Sequence, residues 1–205
     1  MSVRPSLRLE RSLLRAGHNY VGGIDEVGRG PLAGPIVVGL VVISAETPAA
    51  PQGVRDSKAT KRVERPNLVT LINEWAWSTT ASVDAQFIDT FGLTAALREC
   101  VTIAIRSAVA AGMEPSALIL DGNFNYCDPT LDADVVLRKK ADQYSSSVAA
   151  ASVVAKFERD EFMCERAIKF PGYGWERNSG YGTQEHLYAI RSLGLTPLHR
   201  RSFCH

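Results

Sequence analysis

Two apolar segments, residues 20–24 and 36–43, enclose an acidic pair and a glycine-rich turn, and no other feature constrains the fold as much. The second segment is rich in β-branched residues, which suit a buried strand. The acidic pair is Asp25-Glu26, and the turn is Gly28-Arg29-Gly30. Carboxylates at the edge of a buried sheet are costly unless they bind a cation or share a proton. The sequence therefore predicts two core strands with a functional acidic pair between them.

The geometry of a strand restricts how this acidic pair can act. Neighbouring residues of a strand point to opposite faces, so Asp25 and Glu26 reach one site only if the strand ends between them. Gly28 and Gly30 lie just beyond the pair and make a bend easy. We therefore expect the first strand to end at the acidic pair.

Two further acidic residues follow short apolar segments. Asp121 comes directly after residues 117–120, and Asp142 follows a short strand predicted at residues 135–138. Ligand sites collect at the strand ends of open α/β sheets. No histidine or cysteine cluster is nearby in sequence, so magnesium or manganese suits these carboxylates better than zinc. Asp121-Gly122 taken alone is more typical of a simple turn.

The hydrophobic pattern predicts an α/β fold with a mixed sheet. Strands are predicted at residues 20–24, 36–43, 75–83, 117–120 and 135–138, and helices at residues 6–15, 58–71, 93–111, 145–170 and 183–193. The first helix carries several arginines, which we interpret as a solvated charged face. At 205 residues, the whole chain (1–205) is expected to form a single domain with a sizeable core.

The composition is that of an ordinary globular protein, with 45% hydrophobic and 22% charged residues and a net charge of +1. Such a chain is not a general nucleic-acid coat, so any phosphate-binding charge must be local. No apolar run reaches the length of a membrane span, so no membrane association is expected. The four cysteines show no C-x-x-C spacing, which favours free thiols in a reducing cytoplasm.

A longer motif occupies residues 23–35. It reads Gly-Ile-Asp-Glu-Val-Gly-Arg-Gly-Pro-Leu-Ala-Gly-Pro and closely resembles the opening signature of ribonuclease HII, the type 2 ribonuclease H. Further motifs follow in the order of that family: Asp56-Ser57-Lys58, Leu120-Asp121-Gly122, residues 149–156, residues 180–183 and residues 199–203. Each motif alone is weak, but their shared order is hard to reach by chance. The resemblance covers about residues 20–203.

The resemblance implies the ribonuclease H-like fold, a mixed β-sheet flanked by helices with C-terminal helical additions. It also implies a catalytic and metal-binding site of four carboxylates: Asp25, Glu26, Asp121 and Asp142. Asp142 is chosen for its spacing before the Ser/Ala-rich helix, although Asp132, Asp134 and Asp160 compete for the role. The implied cofactor is Mn²⁺ or Mg²⁺, with two ions bound in the presence of substrate. One ion would activate a water, and the other would stabilise the leaving 3′ oxygen.

Substrate contacts are implied at eight positions: Gly28, Arg29, Gly30, Ser57, Lys58, Ser152, Lys156 and Tyr181. Glycines let the backbone approach a ligand and read a 2′-hydroxyl, although the Gly28–Gly30 segment is equally typical of a plain tight turn. Tyr181, with glycine on both sides, can stack on a sugar or base. Ser152 and Lys156 share one face of a helix.

The chain departs from the family pattern at two places. Asn178-Ser179 stands where the family commonly has His-Lys, and Ala59 replaces a customary second lysine. The first departure removes a positive charge near the substrate, which would weaken affinity or its salt dependence. His186 and His199 are interpreted as ordinary surface or interface residues rather than ligands or bases.

The function implied is a cytoplasmic endoribonuclease that hydrolyses the RNA strand of RNA–DNA hybrids and cuts 5′ of single ribonucleotides in duplex DNA. Its products would carry 3′-hydroxyl and 5′-phosphate ends, and its cell role would be the removal of misincorporated ribonucleotides. Two alternatives stay open: a DNA-processing nuclease of the same fold, and a non-catalytic nucleic-acid-binding module. A monomer is expected, and the sequence implies no protein partner.

Overall fold

The computed structural model describes residues 4–54 and 60–204. The strands are β1 (Val21–Val27), β2 (Ile36–Ile43), β3 (Trp77–Val83), β4 (Ala117–Asp121) and β5 (Asp134–Arg138). The α-helices are α1 (Arg8–Arg15), α2 (Arg65–Trp75), α3 (Ala85–Phe91), α4 (Leu93–Ala110), α5 (Ser146–Lys169), α6 (Trp175–Asn178) and α7 (Gln184–Leu193). Short 3₁₀ turns occupy Arg62–Glu64, Ala141–Gln143 and Arg201–Phe203.

The strands form one five-stranded mixed sheet in the order β3-β2-β1-β4-β5. β1, β2 and β3 are antiparallel neighbours, whereas β4 and β5 run parallel to β1. The carboxyl ends of β1 and β4 therefore lie at the same edge of the sheet. Ile24 pairs with Leu120, which brings the following Asp25 and Asp121 to this edge together. The predicted α/β fold with a mixed sheet is confirmed.

Helices cover both faces of the sheet. α4 packs on the face that carries Ile24 and Leu40, and α5 with α2 packs on the face that carries Val41 and Ile43. The first half of α5 is rich in alanine and buried, which lets this helix lie very close to the central strands. α5 thereby supports the carboxyl end of β1 from this face of the sheet.

α1 holds the beginning of α5 in place. Glu10 is fully buried, and its Oε1 accepts hydrogen bonds from the hydroxyls of Ser145 and Ser147 at 2.7 and 2.8 Å. The Ser147 N–H donates to the same oxygen at 2.9 Å. The arginines of α1 are exposed, as expected, but the interpretation of this helix as a charged surface element misses its buried glutamate.

Most predicted elements are confirmed within a few residues, and the differences have local causes. The helix predicted from residue 58 begins at Arg65, where Pro66 fits the first turn because its missing N–H is not needed there. The sequence pattern does not predict α3 or α6, because both are short and follow directly on other structure. None of the described helices is both long and apolar enough to cross a membrane.

Candidate active site

Asp25 and Glu26 lie within β1, which continues through both residues to Val27. The expectation that the strand ends between them is wrong. Asp25 faces α5, where the Ser152 hydroxyl hydrogen-bonds its carboxylate. Glu26 faces the other side of the sheet, where the Tyr126 hydroxyl donates to Oε2 at 2.8 Å. The two side chains therefore lie on opposite faces of β1, but at this edge of the sheet the Glu26 carboxylate is still close enough to raise the pKa of Asp25.

Asp25 is the electrostatic centre of this edge. Asp25 is buried, with 9% of its surface exposed. Burial, the Glu26 carboxylate and the Asp121 carboxylate together raise the pKa of Asp25 well above its ordinary value, against the opposing hydrogen bond from Ser152. A group in this position is stabilised by positive charge brought close to it. The surroundings of Asp25 thus favour a bound cation.

Asp121 ends β4 beside this pair, and Asp142 lies in the Ala141–Gln143 turn that follows β5. The Ala141 N–H donates to Asp121 Oδ1 at 2.8 Å, so the turn carrying Asp142 is tied directly to Asp121. Asp142 is buried, at 5% exposure. Asp25 and Glu26 are far from Asp121 and Asp142 in the sequence, but all four residues come from adjacent parts of one sheet edge.

The three acids that compete with Asp142 for the fourth position lie elsewhere or are neutralised. Asp134 begins β5 opposite Ala117, at the other end of the sheet from Asp121, and pairs with His18 at 3.3 Å. Asp132 is exposed in the loop before β5. Asp160 is ion-paired within α5, as described below. The geometry favours Asp142, in agreement with the spacing argument.

The donor set suits a hard divalent cation. Asp25, Glu26 and Asp121 offer carboxylate oxygens, the ligands that Mg²⁺ and Mn²⁺ take in proteins. Burial raises the pKa of Asp25, and the neighbouring carboxylates of Glu26 and Asp121 raise it further. Across residues 4–54 and 60–204, no three acidic, histidine or cysteine side chains are already gathered around one point as a metal cage. Glu26 and Asp121 are held by the protein donors named above.

The turn after β1 is shaped by glycine. Gly28 has a φ of +95°, and a Cβ there would lie 2.4 Å from Arg159 Nε and 2.7 Å from the Pro35 carbonyl oxygen. Arg29 is exposed and its Nη1 donates to Glu26 Oε1 at 2.9 Å. A Cβ at Gly30 would make ordinary van der Waals contact with Tyr181 Cε1, at 3.9 Å, so this glycine lies beside the tyrosine ring. The turn therefore lies between the acidic pair and Tyr181.

The loop that carries Tyr181 docks on the chain that follows this turn. The N–H groups of Leu32 and Ala33 donate to the Gly180 carbonyl at 2.9 and 3.3 Å. A Cβ at Gly180, whose φ is +83°, would lie 2.3 Å from the Ala33 carbonyl oxygen. Tyr181 itself is 44% exposed. The close contact between the Tyr181 loop and the Ala33 backbone therefore requires glycine at position 180, and the exposed Tyr181 side chain remains available to a ligand.

Arg159 of α5 joins these two segments, and sequence reasoning missed it. It is fully buried and donates to the carbonyls of Pro35, Ala33 and Ser179 at 3.0, 3.0 and 2.8 Å. Burial lowers the pKa of its guanidinium to about 10. The available signal was spacing, because Arg159 lies on the same helix face as Ser152, seven residues earlier.

Lys156 is part of an ion-paired cluster and is not free to contact a ligand without a change of partner. It pairs with Asp160, and Arg65 Nη1 contacts the same carboxylate at 2.7 Å. The Ser179 hydroxyl donates to Asp160 at 3.0 Å. Burial lowers the pKa of Lys156 despite this partner. Ser152, by contrast, lies against Asp25, so the two α5 residues predicted as a pair occupy different environments.

The departure from the family pattern at Asn178-Ser179 has a structural consequence. Both residues are buried, at 8% exposure each. The Asn178 side chain donates to the Tyr173 carbonyl at 2.8 Å and accepts from the Gly180 N–H at 2.8 Å. These side chains stabilise the Tyr181 loop from inside the protein. Ser57 and Lys58, the remaining predicted contacts, lie outside the described residues.

His186 and His199 are not surface residues, contrary to the sequence-based interpretation. They are 0% and 2% exposed and contact each other. His186 lies three and four residues before Ala189 and Ile190, so it shares the apolar face of α7. A signal was therefore present for His186 in this helical spacing, and for His199 in its place at the beginning of the motif at residues 199–203.

Comparisons with known proteins show a family match over nearly the whole chain. The family model described as Ribonuclease HII matches residues 22–205. The Ribonuclease HII of Ruegeria pomeroyi is 42% identical over 202 residues, covering 98% of this chain and 83% of that protein.

Two solved structures share the fold. Ribonuclease H2 from Pyrococcus horikoshii OT3 aligns with a TM-score of 0.72 and 24% identity, covering 89% of this chain and 93% of that chain. Bst-RNase HIII in complex with Mn²⁺ aligns with a TM-score of 0.68 and 23% identity, covering 90% and 67%. The ribonuclease H-like fold is thereby confirmed. Because the family model spans nearly the whole chain and the sequence identity extends over almost its full length, this protein belongs to the ribonuclease HII family.

Proposed function

We propose that this chain is a cytoplasmic, metal-dependent endoribonuclease that hydrolyses the RNA strand of RNA–DNA hybrids and cuts 5′ of single ribonucleotides in duplex DNA. The products would carry 3′-hydroxyl and 5′-phosphate ends. Family membership supports ribonuclease H endonuclease activity. One observation carries the finer proposal: the Gly28–Gly30 turn lies between the acidic edge and Tyr181. A backbone able to read RNA is thus adjacent to carboxylates able to hold a cation.

The proposed cation-holding residues are Asp25, Glu26, Asp121 and Asp142, and the proposed cofactor is Mn²⁺ or Mg²⁺. When bound, divalent ions supply an activated water and stabilise the leaving oxygen in phosphodiester hydrolysis. The residues of this chain contribute by orienting the carboxylates. Ser152 and Tyr126 hydrogen-bond Asp25 and Glu26 on opposite faces of β1 and hold their side chains at the sheet edge.

The Gly28–Gly30 turn would recognise the ribonucleotide. A 2′-hydroxyl both donates and accepts, so backbone groups within a tight turn can separate RNA from DNA at one position. Gly30 lies beside the Tyr181 ring, so a sugar bound against the Gly30 backbone would also meet this ring. Tyr181, half-exposed beside it, would stack on the neighbouring nucleotide and so favour an RNA-to-DNA junction. The protein would act on these duplexes as a monomer.

Three end-labelled substrates of one sequence test this proposal: a DNA duplex with one ribonucleotide, an RNA–DNA hybrid and an all-DNA duplex. Each is incubated with wild-type protein in magnesium, in manganese and in chelator. We expect cleavage of the first two substrates with either metal, and none in chelator. Cleavage of all-DNA duplex would instead support a DNA-processing nuclease. Binding of the first two substrates without cleavage in either metal would support a non-catalytic module.

A further inference from the structure

A buried pair of histidines packs against the Tyr181 loop, and the proposed reaction makes no use of it. His186 in α7 and His199 in the segment after it have Nε2 atoms 3.1 Å apart. Trp175 of α6, also fully buried, packs against both rings, with centroid distances of 6.1 and 5.4 Å. Such a pair requires complementary protons on the two facing nitrogens, because two bare or two protonated nitrogens would repel.

The donor next to His199 fixes the proton on that ring. The backbone N–H of Thr196 donates to His199 Nδ1 at 2.9 Å. An amide N–H can only donate, so Nδ1 carries no proton and the ring is neutral with its proton on Nε2. His199 Nε2 therefore donates to Nε2 of His186.

The donor next to His186 fixes the position of the proton on the second ring in the same way. The indole N–H of Trp175 donates to His186 Nε2 at 3.0 Å. An indole nitrogen cannot accept, so His186 Nε2 is bare and the ring carries its proton on Nδ1. That proton points at the Tyr181 carbonyl oxygen, 2.9 Å away. The contacts form one directed series from Thr196 through His199 and His186 to Tyr181, which we name the histidine relay.

The relay ends on the peptide group that determines where the Tyr181 ring lies. The Tyr181 carbonyl also accepts from the Thr183 N–H at 2.8 Å, so it is held by two donors. The Thr183 hydroxyl in turn accepts from the His186 N–H at 3.3 Å and caps α7. The loop and the beginning of α7 are therefore locked to each other through His186.

We propose that His186 and His199 are positioning residues for Tyr181, which hold its peptide group through the neutral histidine relay and thereby set the preference for RNA-to-DNA junctions. This inference rests on the proposed function, because it assigns to Tyr181 the reading of the junction. A histidine pair that served core packing alone would not depend on which ring nitrogen donates. The relay depends on it at each step, since exchanging either tautomer sets two donors or two acceptors against each other.

The relay is expected to weaken in acid. The charged and titratable groups that face it are Glu185, which is ion-paired with Arg177 of α6, Tyr173, whose ring is edge-on to His186, and Tyr181. Burial lowers the pKa of His186, and burial with the neighbouring His186 lowers the pKa of His199 to about 4. Both rings are thus neutral at pH 7, and the relay would be lost as the pH falls from 6.5 towards 4.

Substitutions at His186 separate positioning from packing. The Nδ of asparagine occupies nearly the place of His Nδ1, so His186→Asn keeps the donor to Tyr181, whereas His186→Leu fills volume without a donor. We expect His186→Leu to lower the ratio of junction to hybrid cleavage roughly tenfold or more, and we expect the same of Tyr181→Ala; His186→Asn should restore most of the ratio. His18→Asn, at the opposite end of the sheet, is the control and should leave the ratio unchanged.

A pH series of the same ratio gives a second readout that does not depend on His186→Leu folding. In wild type the ratio should fall below pH 6.5, and in His186→Asn it should vary less over that range, because an amide does not titrate. An unchanged ratio in a folded His186→Leu, or identical pH profiles in wild type and His186→Asn, would overturn the relay. Failure of wild type to cut either substrate would instead overturn the proposed function.

Discussion

Asp25→Asn is expected to lose about 1,000-fold or more in the rate of strand cleavage, equivalent to ~4 kcal/mol in barrier height, while the metal-free protein becomes more stable. The loss follows because an amide oxygen is a far weaker ligand for a hard cation than a carboxylate. The gain follows because Asp25 is buried beside the Glu26 and Asp121 carboxylates, so that a negative charge on Asp25 is costly.

The sign of the stability change comes from the pKa of Asp25, which folding raises above its unfolded value of 3.8. The unfolded chain releases this proton at lower pH, so the charged form of Asp25 destabilises the fold as the pH rises from about 4 through the raised value. Asparagine carries no charge to bury. At pH 7 in chelator, we expect the melting temperature of Asp25→Asn to exceed that of wild type by roughly 2 °C or more.

Asp89→Asn is the matched control, and its expected change in melting temperature has the opposite sign. Although partial burial acts to raise the pKa of Asp89, hydrogen bonds from Ser202 and Arg201 lower it overall. Removing that carboxylate should lower the melting temperature and leave cleavage nearly unchanged. An Asp25→Asn protein that cleaves at the wild-type rate, or that melts below wild type in chelator, contradicts the account of the acidic edge.

Gly23→Ala is expected to destabilise the protein by about 3 kcal/mol or more, since the new methyl group has no space. A Cβ at Gly23 would lie 2.2 Å from Ser147 Oγ and 2.5 Å from the Ser147 carbonyl carbon. The second atom belongs to the backbone of α5, so the whole helix would have to move away from β1. The shift would also carry Ser152 away from Asp25. A fall in melting temperature of roughly 6–12 °C is expected.

Gly22→Ala in the same strand tests this explanation. A Cβ at Gly22 would meet Leu118 Cδ2 at 2.8 Å and Leu40 Cδ1 at 2.9 Å, both at the free ends of side chains on the other face. Leucine side chains can rotate, so we expect a loss below about 1.5 kcal/mol. Thermal and urea unfolding measure both variants. Equal destabilisation by the two substitutions would show that close contact with the α5 backbone is not the cause.

The features that the sequence predicts correctly are those governed by local pattern. The apolar run at residues 36–43 can hardly be anything but a buried strand, and β2 has those bounds. The position of Asp121 at the end of β4 was predictable because a short apolar segment ends at this residue. Even so, pattern alone misplaced the end of β1, because glycines after an acidic pair permit a bend without requiring one there.

The features that the sequence does not predict are polar groups whose partners lie far along the chain. Arg159 is held by the Ala33 carbonyl, 126 residues away, and Glu10 by Ser147, 137 residues away. A charged residue in a helix looks solvated until its partners are known. The histidine relay is hidden for a different reason. Its partners are near in sequence, but the contact between His186 and His199 forms only when the segment after α7 folds back on that helix.

The central claim is that the acidic edge performs metal-dependent cleavage 5′ of a ribonucleotide. An end-labelled DNA duplex with one ribonucleotide, cut by wild type and by Asp121→Asn in magnesium or manganese, tests it most directly when both the cut position and the end groups are determined. We predict a single cut 5′ of the ribonucleotide with a 3′-hydroxyl and a 5′-phosphate, nearly abolished in Asp121→Asn. A cut elsewhere, different end groups, or full activity in the variant would contradict the claim.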